Sequence, residues 1–160
     1  MLGLVVVFAI ISIALTTNKR REKTNPRGKK EYNYEKKSAV LSKNEQEWYW
    51  RLVEALPRNV ILAQVNMTSC INTKNDQASF GTISQKSLDF IICNKEMNIV
   101  AAVEIDDASH NSQSAMKRDN TKNQALDAAG IKLIRWKAMP VATKEEIIKK
   151  FANAILGRQQ

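Results

Sequence analysis

The stretch SLDFIICNKEMNIVAAVEIDDASH, residues 87–110, decides the fold. Two apolar runs, Leu88 to Cys93 and Ile99 to Ile105, flank the polar break NKEMN, a turn-length interruption that predicts a β-hairpin. Asp89 lies inside the first run, and Glu104, Asp106 and Asp107 close the second. Carboxylates in such places are costly unless a cation or a hydrogen-bond donor meets them. Counting outward from the turn around Lys95 to Met97, Asp89 and Glu104 each lie roughly seven residues away, which makes them neighbours across the hairpin. Glu104 and Asp106, being two apart, share a strand face. Acids paired in this way suit a hard cation, Mg²⁺ or Mn²⁺, able to activate water and to stabilise charge on a phosphoryl oxygen. The purely structural alternative is a set of strand-end acids balanced by Arg135 or Lys122.

Working outward, the hairpin is embedded in an alternation of helices and strands. Ser42 followed by Glu45 is a capping box, and Trp48, Leu52, Val53, Ala55 and Leu56 recur at helical spacing, which predicts a helix over about 43–56 ended by Pro57. Trp48 and Trp50 cannot share one helix face, so one belongs to the core and the other to the domain edge. VILAQVNMTSCI, residues 60–71, reads as a strand, and residues 72–84, with Gly81, as a polar loop. A second helix spans about 113–129 and stops at Gly130. IKLIRW, residues 131–136, is a further strand, with Arg135 pointing away from Ile134 and Trp136 and available to Asp119 or Glu104. Thr143 caps a final helix to about Leu156. The predicted class is α/β, in the order α β β β α β α, with a mixed sheet of about four strands and helices on both sides.

The chain has 160 residues with 25 Lys and Arg against 16 Asp and Glu. This suits one domain with an appendage and leaves no room for a second full domain. The excess charge is concentrated early. Residues 1–37 carry nine of the basic residues and three acidic ones, leaving a balance of only +3 for the remainder. From Met1 to Leu15 the chain is apolar apart from Gly3 and Ser12, and Lys19, Arg20 and Arg21 follow. Residues 1–17 are therefore expected to form a transmembrane anchor of minimal length, the usual span being roughly 17–25 residues. The positive-inside rule then places the N-terminus outside and the C-terminal domain in the cytoplasm, as a single-pass protein of a bacterial inner membrane. Residues 18–37, NKRREKTNPRGKKEYNYEKK, are expected to be a flexible basic linker, and residues 38–160 the folded domain. Cys70 and Cys93 lack ligand spacing, and the lone His110 excludes a multi-histidine metal centre.

These residues also carry a family resemblance. The order αβββαβ, with Glu47 in the first helix, Asp89 in the second strand and Glu104-Ile105-Asp106 in the third, resembles the restriction-endonuclease-like PD-(D/E)XK nuclease superfamily. The run Glu104 to His110, followed by Asp119, Lys122, Leu126, Gly130 and Arg135, resembles the branch related to very short patch repair endonucleases and several families of unknown function. Those families show E-x-D-G-x-x-H, then D-x-x-R-x-x-x-L-x-x-x-G and an Arg in the last strand. The resemblance covers about residues 40–137. It implies that Asp89, Glu104 and the backbone carbonyl of Ile105 hold Mg²⁺ or Mn²⁺, and that Glu47 reaches the ion directly or through water. Three positions depart from the pattern: Asp106 stands where the superfamily has lysine, Lys122 where the branch has Arg, and Asp107 where Gly is common.

The function so implied is a membrane-anchored, Mg²⁺-dependent endonuclease hydrolysing phosphodiester bonds of nucleic acid, with DNA favoured over RNA. His110 or Asp106 would accept or orient the proton of the attacking water in place of the missing lysine. Lys117, Arg118, Lys122 and Gln124 of the second helix are the candidate nucleic-acid contacts. The rival reading is a nuclease-fold module that has lost catalysis and binds nucleic acid or protein at the membrane, consistent with the absent lysine and the modest charge of the domain.

Overall fold

The structure, a computed structural model, describes residues 32–106 and 113–157, with the helix residues 113–119 described by backbone alone. The expected anchor and most of the basic linker lie outside the described residues. Among the described residues, no helix is long and apolar enough to cross a membrane. The chain divides into two units, Met1–Lys37 and Ser38–Gln160, and the second holds every described helix and strand.

Helix α1 (Lys43–Ala55) starts at Ser42, whose Oγ accepts from the Glu45 amide while Glu45 Oε2 accepts from the Ser42 amide at 2.7 Å. Strand β1 (Val60–Asn66) runs into a 3₁₀ turn, Met67–Ser69, then helix α2 (Gln77–Ile83). Strands β2 (Ser87–Cys93) and β3 (Ile99–Asp106) form the predicted hairpin. Helix α3 (Gln113–Ala128), strand β4 (Lys132–Lys137) and helix α4 (Lys144–Leu156) complete the order. The sheet order is β1-β2-β3-β4, antiparallel up to β3 and parallel between β3 and β4.

Two clusters of apolar side chains sandwich this mixed sheet. On one face, Trp48, Leu52 and Ile147 from α1 and α4 cover Phe90, Ile92, Val103 and Ile134. On the other, Ile83 of α2 and Leu126 of α3 cover Leu88, Ile91 and Ala102. Trp48 is wholly buried, yet its indole N–H donates to the Ala138 carbonyl at 3.0 Å, so its burial leaves no polar atom unsatisfied. Trp50 is exposed, which settles which of the two tryptophans belongs to the core.

Two segments depart from the sequence reading. The strand expected over 60–71 stops at Asn66, because the Asn66 side chain accepts from the Thr68 amide and caps the 3₁₀ turn. The loop expected over 72–84 contains α2, started by Asp76, whose carboxylate accepts from the Ala78 and Ser79 amides. Only Ile83 of α2 is buried, too little apolar surface to produce a periodic signal.

Candidate functional site

The hairpin ladder ends just short of the acids. β2 and β3 pair from Cys93 and Ile99 to Phe90 and Val103, and Asp89 and Glu104 occupy the next level in the same register. There the Asp89 carboxylate replaces the ladder: its Oδ2 accepts from the Ile105 amide at 2.7 Å. β3 itself continues to Asp106, paired only with β4 beyond this point. The strands thus part at the two carboxylates. The expectation that Asp89 and Glu104 meet across the hairpin agrees with this geometry.

Glu104 is only 6% exposed, the one charged residue buried among the described residues. It projects towards the α3 side of the sheet, where Lys122 Nζ lies 2.7 Å from Oε2. Its other oxygen, Oε1, is buried with no hydrogen-bond partner among the described residues. Burial raises the Glu104 carboxyl above its ordinary range; Lys122 pulls it back through the hydrogen bond and its charge, and the nearby Asp89 pushes it up again. Asp89 is raised too. Burial is the main cause, opposed by the Ile105 amide and then by Lys122, while Glu45 and Asp106 add to it. Two acids held at one level, both pushed towards their neutral forms, have less positive charge around them than their burial demands.

Asp106 is treated differently. Its Oδ1 meets Arg135 Nη1 at 2.6 Å, and Arg135 Nη2 also donates to Asn123 of α3 at 2.9 Å. Lys150 of α4 lies over the Trp136 ring, 4.2 Å from its centre, and donates to the Arg135 carbonyl. The two cations of the structural alternative, Lys122 and Arg135, are therefore both engaged with strand-end acids. Arg135 pairs with Asp106 rather than with Glu104, which Lys122 takes.

The first-helix acid is where the sequence reading and the structure part. Glu47 is exposed, and no hydrogen bond or ion pair joins it to Asp89. Glu45, about 200° around the helix from it, lies on the side of Trp48 and Leu52 and acts electrostatically on Asp89. Gln64 of β1 donates to Glu45 Oε1 at 2.5 Å. The signal was present in the spacing: 45, 48 and 52 share a helix face, and 47 does not.

Of the remaining candidates, His110 and Asp107 lie outside the described residues, as do the side chains of Lys117, Arg118 and Asp119. Gln124 is exposed and lines an open groove with Asn123 and Lys132 between α3 and β4. Lys122, expected as a nucleic-acid contact, turns inward to Glu104. Among the described residues, no group of three or more His, Cys, Asp or Glu side chains is arranged to hold a metal ion. Among the described residues, the donors at this level are the two carboxylates and the main chain.

Fold and site together define a mixed α/β domain with a pair of elevated carboxylates where its central hairpin opens. The family model described as "Protein of unknown function (DUF2726)" matches residues 37–155, and the chain belongs to that family. It is also similar to an uncharacterised protein of Haemophilus influenzae, at 29% identity over 100 residues, which is 60% of this chain and 52% of that protein. The match thus spans about half the length of that relative. No solved structure matches the chain.

Proposed function

We propose that the domain is a metal-dependent nuclease of the restriction-endonuclease-like PD-(D/E)XK superfamily, hydrolysing phosphodiester bonds of DNA or RNA. The observation that carries this reading is the meeting of Asp89 and Glu104 where β2 and β3 part, with Glu104 Oε1 buried and without a hydrogen-bond partner among the described residues. A hard divalent cation suits such a site: the donors are oxygens, one of them has no partner among the described residues, and burial raises both carboxyls. The strand order and the parallel β3–β4 pair agree with the resemblance in the motifs.

When bound, Mg²⁺ or Mn²⁺ would supply Lewis-acid stabilisation of the scissile phosphate and a more acidic water. Asp89 and Glu104 would hold it, with the Ile105 carbonyl on the same strand. Asp89 is fixed in advance by the Ile105 amide, so no reorganisation is needed to present its carboxylate. Lys122 brings an ammonium to Glu104 from α3, giving the acid pair the positive neighbour that Asp106 cannot provide. Lys122 is therefore the residue of the described site that stands in for the superfamily lysine. His110 is the group suited to moving the proton near neutral pH. In this reading residues 1–17 anchor the protein with its N-terminus outside, and the 18–37 linker holds the nuclease domain at the cytoplasmic face of the membrane, facing nucleic acid.

One observation favours the rival reading, a binding module without catalysis. Glu104 and Asp106 each already have a cationic partner, which an ion-pair framework needs and a metal site does not. The deciding experiment is incubation of the purified chain with plasmid DNA and with RNA, in Mg²⁺, in Mn²⁺ and in EDTA. The nuclease reading expects cleavage with either ion and none in EDTA. Absence of cleavage, together with no heat of Mn²⁺ binding in calorimetry, favours the binding module.

A further inference from the structure

Gln64 has φ of 52°, in the left-handed region that non-glycine residues seldom occupy, and it does so in the middle of strand β1. The other non-glycine residues of positive φ among those described, Lys74, Asn75 and Met97, all lie outside the strands. Its consequence is visible in the pleat. Along a regular strand successive side chains alternate between the two faces. On β1, Ile61 and Ala63 pack with the α1 and α4 cluster while Val60 and Leu62 pack with the other. Val65 belongs with Ala63 by alternation, yet it packs with the opposite cluster.

The same reversal occurs on the neighbouring strand. Phe90 and Ile92 pack with α1 and α4, but Leu88 joins the α2 and α3 cluster. Ala63 pairs with Phe90 and Val65 with Leu88, so the two defects face each other across one level, at Gln64 and Asp89. A residue at a pleat reversal points to neither face of the sheet in the ordinary way. This accounts for an Asp89 carboxylate that reaches sideways to the Ile105 amide, where a main-chain ladder bond would otherwise stand. The Gln64 side chain ties the same level to the start of α1 through Glu45.

We infer that Gln64 is a positioning residue: its left-handed backbone reverses the sheet pleat opposite Asp89 and thereby aims the Asp89 carboxylate along the edge of β3. This deepens the nuclease reading and rests on it for the purpose of the positioning, although the positioning itself needs no bound ion. A strained conformation kept beside a candidate site, with no turn or chain reversal to require it, is the pattern expected of strain retained for function.

The test is a substitution series on the full chain, read by hydrogen exchange of the Ile105 amide, by Mn²⁺ calorimetry and by Tm. Gln64→Gly and Gln64→Asn tolerate a left-handed φ, whereas the β-branched Gln64→Val does not. Gly and Asn should keep Ile105 protected and leave Mn²⁺ affinity within about threefold of the parent. Gln64→Gly should also raise Tm by a few degrees, because the strain is relieved. Gln64→Val should expose the Ile105 amide, with exchange faster by at least tenfold, and weaken Mn²⁺ binding by a similar factor. Unchanged Ile105 exchange in Gln64→Val overturns the inference, as does a Gly variant that loses protection or gains no stability. If Gln64→Val does not fold, the Gly variant decides alone. Should the parent chain bind no Mn²⁺ while the exchange pattern follows the series, the nuclease reading fails and the positioning by Gln64 stands.

Discussion

Two ion pairs leave β3 two residues apart, and they differ in nearly everything except their distance. Glu104 and Lys122 meet at 2.7 Å with side chains 8% and 15% exposed; Asp106 and Arg135 meet at 2.6 Å with side chains 45% and 28% exposed. The exposed pair is better satisfied: Arg135 donates to both Asp106 and Asn123. The buried pair is less so, since Glu104 keeps an oxygen without a partner among the described residues and its carboxyl is pushed upward by burial. A buried ion pair of this kind is weak support for stability, and an isosteric apolar pair often does as well. The comparison teaches that equal distances conceal unequal roles. Asp106 with Arg135 joins β3 to β4 and α3, while Glu104 with Lys122 holds charge where the fold gains least from it.

The strongest way to break this comparison is to remove the acid of the buried pair. On the nuclease reading, Glu104→Ala should abolish cleavage of DNA or RNA, a loss of at least about 1000-fold if the cation site is lost with it. A gel assay in Mg²⁺ and Mn²⁺ measures it. Cleavage surviving at more than a tenth of the parent rate would place the chemistry elsewhere.

Removing the cation instead tests the energetics without reference to activity. Lys122→Met leaves Glu104 buried with both oxygens lacking a cation, and should destabilise the domain by about 3 kcal/mol at neutral pH. The double variant Glu104→Gln with Lys122→Met should recover most of that loss, because no uncompensated charge remains. Urea unfolding of the parent, both single variants and the double gives the cycle. A cost under about 1 kcal/mol for Lys122→Met would make the buried pair no different from an exposed one.

A smaller effect follows from pH. Asp89 and Glu104 both titrate above their ordinary range when folded, chiefly through burial. Between the ordinary value and the raised one, the folded state binds more protons than the unfolded state. Stability contributed by these groups is therefore fully present below the ordinary carboxylate range and lost as pH rises through the raised folded values. Thermal melts from pH 4 upward should show this decline superimposed on the rest of the titration, and Glu104→Gln should flatten it. Added Mn²⁺ should offset it most at the higher pH, where the carboxylates are charged. A Glu104→Gln profile parallel to that of the parent would remove Glu104 as a source.

How much of this was legible in the sequence depends on whether a feature is periodic. The hairpin, the start of α1 at Ser42 and the end of α3 before Gly130, at φ 70°, follow from apolar spacing and cap chemistry, which act locally. The level of Asp89 with Glu104 was legible by counting from the turn, because hairpin register is set there. Helix α2 was not, having one buried side chain. The approach of Glu45 to Asp89 was legible in helix spacing, which sets residue 45 on the face of Trp48 and Leu52, whereas Glu47 enters through the family resemblance alone. The division of Lys122 and Arg135 between Glu104 and Asp106 was not legible, since it depends on where α3 settles over β3. Nor was Gln64: a left-handed glutamine inside a strand has no sequence signature, and only its backbone φ and the side chains that change faces around it reveal it.

The smallest effect sharpens the comparison from the exposed side. Arg135→Met removes the cation from Asp106 but leaves that carboxylate nearly half exposed, so water replaces the lost partner. An exposed pair is worth about 0.2–1 kcal/mol, and the change should fall inside that range. Added salt should shrink it further, because screening acts on charges in reach of solvent and much less on those beneath α3. The Lys122→Met cost should therefore persist from low to high salt while the Arg135→Met cost fades, both read as urea midpoints in the same buffers. Lys150 complicates the second variant only slightly, since it donates to the main-chain carbonyl of residue 135, which survives the substitution. Equal salt dependence in the two variants would mean that water reaches Glu104 as readily as Asp106. The orphaned oxygen would then be solvated, and the case for a cation there would lose its support.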